Sequence, residues 1–186
     1  MIRDRTAVVW TRSGTAPIKM GQFSVTDTEC RFTYEADFID SGLPGLGVLY
    51  APEFIKQNTL RWKRSPYFDL VPQLQTLIPP ASEANFQRKL ILSYLSQQNR
   101  TPEPGFDTDW AILMLAGHGG IGHLDVFEHD EQAQLWYSEE APSPLFKINE
   151  NFGFSLKEFM TWFDNDAHVL LEALGPTPSV GGAIPK

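Results

Sequence analysis

Between residues 23 and 34 apolar side chains return at every second position, which restricts this part of the chain to half-covered β-structure. Phe23 and Val25 alternate with polar neighbours, as do Cys30, Phe32 and Tyr34; in a strand, such positions share one face. Residues 6–12, Thr-Ala-Val-Val-Trp-Thr-Arg, are rich in β-branched and aromatic side chains and run into a Ser13-Gly14 turn. A small antiparallel sheet with one face covered is the expected outcome. Residues 35–40 fit a short helix that Gly42 and Pro44 end, with Phe38 and Ile39 turned toward the sheet.

From residue 43 to 80 the pattern weakens, because prolines at 44, 52, 66, 72, 79 and 80 break long helices and oppose a central strand. Within this block Arg61, Trp62, Lys63 and Arg64, with Tyr67 and Phe68, mix cations and aromatics. That composition suits a nucleic-acid backbone with stacked bases or a protein partner. A basic strand edge with Trp62 packed inward accounts for it without any ligand.

Helical spacing then takes over. Ser82 can cap a helix carrying Phe86, Leu90, Ile91, Tyr94 and Leu95 on one face, with Gln87, Arg88, Gln97 and Gln98 toward water. A shorter element begins at Asp107 or Thr108, runs through Trp110, Leu113 and Met114, and must end by Gly117. Residues 155–174 read as the clearest helix: Ser155 and Glu158 form a capping box, and Leu156, Phe159, Met160, Phe163, Ala167, Leu170, Leu171 and Leu174 follow at three- and four-residue steps. Gly175 and Pro176 stop it. The fold class expected is therefore α+β: a small antiparallel β-sheet with packed helices, ending in a long C-terminal helix and a Gly-rich loop. Residues 1–80 should be mainly β and 81–174 mainly helical with a short strand region.

The glycine-rich run Gly117-His118-Gly119-Gly120-Ile121-Gly122-His123 invites a phosphate-loop reading. Such a loop normally follows a strand and opens a helix, whereas this one follows a helix and leads into the strand-like Leu124-Asp125-Val126-Phe127. A turn that brings the chain back to a sheet fits better. His118, His123, Asp125, Glu128 and His129 include ligand types that zinc accepts, but a metal cage needs ligands on fixed elements, so exposed loop histidines are expected and no metal is assigned. Residues 130–134 and 138–144 read as acidic, turn-rich connectors, and the adjacent Glu139 and Glu140 as solvated loop rather than paired catalytic carboxylates.

Charge is divided unevenly. Residues 1–100 hold 12 Lys/Arg and 9 Asp/Glu, a balance of +3, while residues 101–186 hold 3 and 14, a balance of −11. The acidic half repels phosphate backbones, so direct DNA contact is disfavoured. The lone cysteine, Cys30, excludes an internal disulfide and any multi-cysteine zinc site, and suits a small buried apolar position. No run reaches the roughly 18 apolar residues of a membrane span, and the first residues enter a strand pattern directly. No membrane is implied and a cytoplasmic location is expected.

The last residues, 175–186, combine prolines, glycines and a hydroxyl in Ser179-Val180-Gly181-Gly182-Ala183-Ile184-Pro185-Lys186, and their end is expected to be a cut edge. Together with the glycine run at 117–126, this segment resembles the HipA family of serine/threonine kinases, the toxin partners of bacterial toxin-antitoxin operons. In that family an amino-terminal α+β domain precedes a Ser-x-Gly-Gly-x-x-Pro-Lys-like loop that opens the kinase core; Ser179, Gly181, Gly182, Pro185 and Lys186 match it. Residues 32–44, from Phe32 to Pro44, resemble the family's strand-helix unit.

The resemblance implies a domain over 1–174 and, at 175–186, the start of a nucleotide loop in which Ser179, Val180, Gly181, Gly182 and Ala183 face ATP. Small side chains there would let backbone amides approach phosphate. Ser179 would be a regulatory phosphorylation site, where roughly two added negative charges displace the nucleotide's own. The lysine, aspartate and magnesium ligands of phosphoryl transfer are not recognisable, so no catalytic residue is assigned in this chain, and ATP and Mg2+ belong to the full-length parent. The implied partners are a HipB-like antitoxin or a kinase lobe, with the protein substrate unidentified. A proline-rich linker and a free-standing interaction module, as in split systems, are the alternatives.

Overall fold

The computed structural model describes residues 4–55, 57–64, 72–82, 85–120 and 122–138. They fall into two compact units. The first holds residues through Leu77 together with Gly122–Tyr137, and the second is described over 78–82, 85–120 and at 138.

The fold is α+β. In the first unit β1 (Arg5–Thr11), β2 (Ile18–Val25), β3 (Glu29–Tyr34), β4 (Thr59–Lys63) and β5 (Leu124–Phe127) form one sheet in the order β4-β3-β2-β1-β5. Every neighbouring pair is antiparallel. The alternation read from the sequence is the side-chain alternation of the strands: Ala7, Val9, Phe23, Val25, Cys30, Phe32 and Tyr34 are buried, and the register places them on a common face. That register slips once, because Val9 faces Gly21 but Trp10 faces Lys19. Met20 is thus the extra residue of a bulge, which lets Met20 and Gly21 both lie buried before the strict alternation resumes at Phe23.

The opposite face is divided. Beside β1 and β5 it is covered by α5 (Asp130–Ser138), where Val8, Phe127 and Ala133 pack with Trp10, Trp136 and Tyr137. This stretch was expected to be connector. Asp130 starts a helix instead because its carboxylate is gripped from the sheet by Trp10 Nε1 at 3.2 Å and Lys19 Nζ at 2.6 Å, and an acidic first turn suits a helix start. Toward β3 and β4 the same face carries Arg31, Thr33, Thr59 and Arg61, paired across the strands.

After β3 comes α1 (Ala36–Asp40), a single short helix that buries Phe38. Ile39 does not turn toward the sheet as expected; it is 36% exposed, because so short a helix can offer only one position to the core. Two 3-10 turns follow, Val48–Tyr50 and Pro52–Phe54, then β4 and the four-residue α2 (Pro72–Gln75).

In the second unit α3 (Phe86–Gln97) packs on α4 (Phe106–Ala116). Leu90, Ile91 and Leu95 are buried as expected. The cap is Asn85, whose side chain accepts from the Arg88 amide at 2.8 Å, and not Ser82. Gln87 is buried, and Arg88 does not face water. Its guanidinium donates to the Pro79 carbonyl at 3.0 Å and to Asp109 at 2.7 Å, which draws that side of the helix inward. Cys30 is buried. Among the described residues no helix is long and apolar enough to cross a membrane.

Candidate functional site

The concave part of the first unit is organised by Tyr34, the last residue of β3. Its ring lies parallel to Phe38, with centroids 5.6 Å apart, and edge-on to Phe32 at 4.8 Å. Buried at that depth the hydroxyl needs partners. It donates to the Tyr50 carbonyl at 2.6 Å and accepts from the Leu46 amide at 2.9 Å. One side chain therefore clamps the loop between α1 and β4 against the end of the sheet. Gly45 lies so close that a Cβ there would stand 2.4 Å from the same oxygen.

The clamped loop encloses a pocket of about 510 Å³, within the size range of ligand sites. Its walls are mainly apolar, among them Ile39, Leu43, Val48, Pro52 and Phe54; Glu53 and His123 are its ionisable side chains. His123 reaches this wall from just before β5, its carbonyl accepting from the Arg12 amide at 2.8 Å. The Gly122 carbonyl accepts from the Arg12 side chain at 2.7 Å. His123 Nε2 is buried with no hydrogen-bond partner among the described residues.

A second cluster lies on the α5 side. Asp125 is fully buried, and one of its oxygens accepts from Arg12 Nε at 2.6 Å and from the Tyr137 hydroxyl at 2.7 Å. The Tyr137 ring meets Trp10 and Phe127 with centroids 5.7 and 5.8 Å away. The geometry is that of a tie between strand and helix: the carboxylate is enclosed by its own donors, and none of these residues lines the pocket. Lys19 lies nearby with its ammonium on Asp130 and Glu35. Burial lowers its pKa, but the bonds to those two carboxylates outweigh it and the net shift is upward.

Both tyrosines resist ionisation. Burial raises the pKa of Tyr34, partly offset by the Leu46 amide. Burial, followed by the bond to and the charge of Asp125, raises that of Tyr137 much further. A raised folded-state value means that the stability contribution is full below the unfolded tyrosine pKa of about 10 and is lost as pH rises beyond it. The tyrosines' contribution to denaturant stability should therefore be constant through neutral pH and fall progressively above about pH 10, and Tyr34→Phe should make that alkaline decline shallower. A decline equally steep in the variant would contradict the assignment.

The sequence candidates fall as follows. Arg61, Trp62 and Lys63 lie on β4, an outer strand of the sheet, with Arg64 just after it. Trp62 faces Cys30 across the strands and meets the Tyr50 ring edge-on at 5.4 Å, so it packs inward. Arg64 donates to the Thr26 carbonyl at 3.0 Å and braces the β2–β3 turn. Arg61 and Lys63 remain exposed, Arg61 being 3.7 Å from Glu29. The glycine run follows α4 and precedes β5, as its turn reading requires, with Gly119 at a φ of 74° that favours glycine.

His118 is buried and is not the exposed loop residue expected. Glu128 and His129 are exposed, and among the described residues no group of three metal-binding side chains forms. Glu139, Glu140, the helix read at 155–174, and Ser179, Val180, Gly181, Gly182 and Ala183 lie outside the described residues. The pocket was not foreseen. The available signal was Leu43, Leu46, Val48, Leu49 and Phe54, apolar residues without strand or helix period among glycines and prolines. No protein-family model, curated protein or solved structure matches the chain.

Proposed function

We propose that this chain is the amino-terminal portion of a HipA-like serine/threonine kinase, contributing a partner-binding domain and the start of the ATP loop. The observation that carries this reading is the order of three matching segments, at 32–44, 117–126 and 179–186. Two of these fall in described elements of a suitable kind: a strand followed by a short helix, and a glycine turn entering a strand. Catalysis would require a kinase lobe to supply the lysine, the aspartate and the Mg2+ ligands. The proposed setting is the cytoplasm, with a HipB-like antitoxin or that lobe as partner.

Titration of the chain with Mg-ATP should show binding weaker than about 1 mM and no phosphoryl transfer to the chain itself. Tight saturable binding would contradict the division of labour proposed. The reading frame beyond Lys186 is the complementary test, since the kinase reading requires aspartate- and asparagine-containing kinase motifs there. The exposed Val48, Leu49 and Phe54 favour a second reading, a free-standing interaction module that restrains a separate kinase; a stop codon in place of those motifs would support it.

A further inference from the structure

The loop that Tyr34 clamps is apolar where a loop is ordinarily polar. Val48 is 81% exposed, Leu49 80% and Phe54 67%, and Val48 and Phe54 belong to the wall of the 510 Å³ pocket. Contiguous exposed apolar surface around a concavity marks an interaction site. It is also held ready: the Tyr34 bonds to Leu46 and Tyr50 fix the loop on both sides of Val48, so an occupant need not order it first. A small molecule held inside the pocket would leave Leu49 uncovered, since that side chain lies off the pocket wall. A chain laid across the rim would cover it.

The charge around this surface specifies the occupant. From residue 32 to residue 56 the chain has Glu35, Asp37, Asp40 and Glu53 against a single cation, Lys56. Glu35 is paired with Lys19. Asp37, Asp40 and Glu53 are exposed, none forms an ion pair among the described residues, and of the three it is Glu53 that lines the pocket. The unsatisfied His123 Nε2 is a further polar atom at that wall.

We propose that this pocket docks a basic peptide segment of a partner protein, which inserts an aromatic or branched apolar side chain between Val48 and Phe54 and sets a flanking Lys or Arg against Glu53 of the pocket wall. The apolar anchor supplies the affinity and the charges select the sequence. The surface is opposite in sign to the exposed Arg61 and Lys63 of β4. The proposal rests on the pocket and stands apart from the kinase reading.

The test is selection of a random peptide library, displayed on phage, against the full 186-residue chain. Enriched peptides should share an apolar anchor flanked by Lys or Arg. A synthetic consensus peptide should bind at least about tenfold more weakly to Phe54→Ser and to Glu53→Lys, and binding should fall as salt rises. Both substitutions fall at exposed positions, and circular dichroism verifies that the fold is kept; Arg61→Ser on the β4 edge should leave binding unchanged. Absence of enrichment, enrichment of acidic peptides, or a consensus peptide indifferent to both pocket variants would overturn the proposal. None of these outcomes depends on whether the chain binds ATP.

Discussion

Replacing Gly21 with alanine is expected to lower stability by about 3 kcal/mol, the upper end of what overpacking a core ordinarily costs, and the melting temperature by about 10 °C. Gly21 lies in β2 between Val9 of β1 and Tyr34 of β3. A Cβ there would be 2.2 Å from the Thr33 carbonyl oxygen and 2.7 Å from the end of the Phe32 ring. The ring could rotate away, at the expense of its edge contact with Tyr34. The carbonyl cannot, because it belongs to the neighbouring strand. The bulge at Met20 compounds the problem, since the register is already displaced at this point and any further shift must pass through the middle strand of the sheet. Thermal melts of the variant beside Gln22→Ala, an exposed position on the same strand, provide the comparison; equal melting temperatures would show that the strands can part without loss.

The second large effect is expected at Asp125. Truncating it to alanine should cost about 3 kcal/mol, the low end of the range for breaking a buried ion pair, because Arg12 is about one-third exposed and recovers part of its solvation. Two donors lose their acceptor together, Arg12 Nε and the Tyr137 hydroxyl, and through Tyr137 the tie to α5 is weakened. Since both bonds end on one carboxylate oxygen, the effects of Asp125→Ala and Tyr137→Phe should be far from additive. The double variant should be scarcely less stable than Asp125→Ala alone. Additive losses in a double-mutant cycle measured by denaturant unfolding would show that the two side chains act separately.

Much of the first unit is legible in the sequence alone. Phe23, Val25, Cys30, Phe32 and Tyr34 announced strands because a two-residue period has only one regular solution, and Phe38 before Gly42 and Pro44 marked the short helix. The inward Trp62 was legible as the aromatic of a basic strand edge, where the cations face water. The helical spacing of Leu90, Ile91 and Leu95 likewise identified the buried face of α3. Local pattern failed where a residue's role depends on a partner distant in sequence. Asp130 looked like acidic connector because Trp10 and Lys19, which hold it, lie more than 100 positions earlier. Asp125 looked like one more ligand type in a histidine-rich loop, although its donors are Arg12, just after β1, and Tyr137 of α5.

By itself, then, the sequence determined the strand periods, the short helix, the helical face of α3 and the return of the chain through the glycine run, because each depends on residues a few positions apart. Tertiary structure alone decided the pocket, the clamp by Tyr34 and the tie at Asp125. Each of these exists only once β-strands, loop and helix meet, and no repeat along the chain encodes where a hydroxyl or a carboxylate will find its donors.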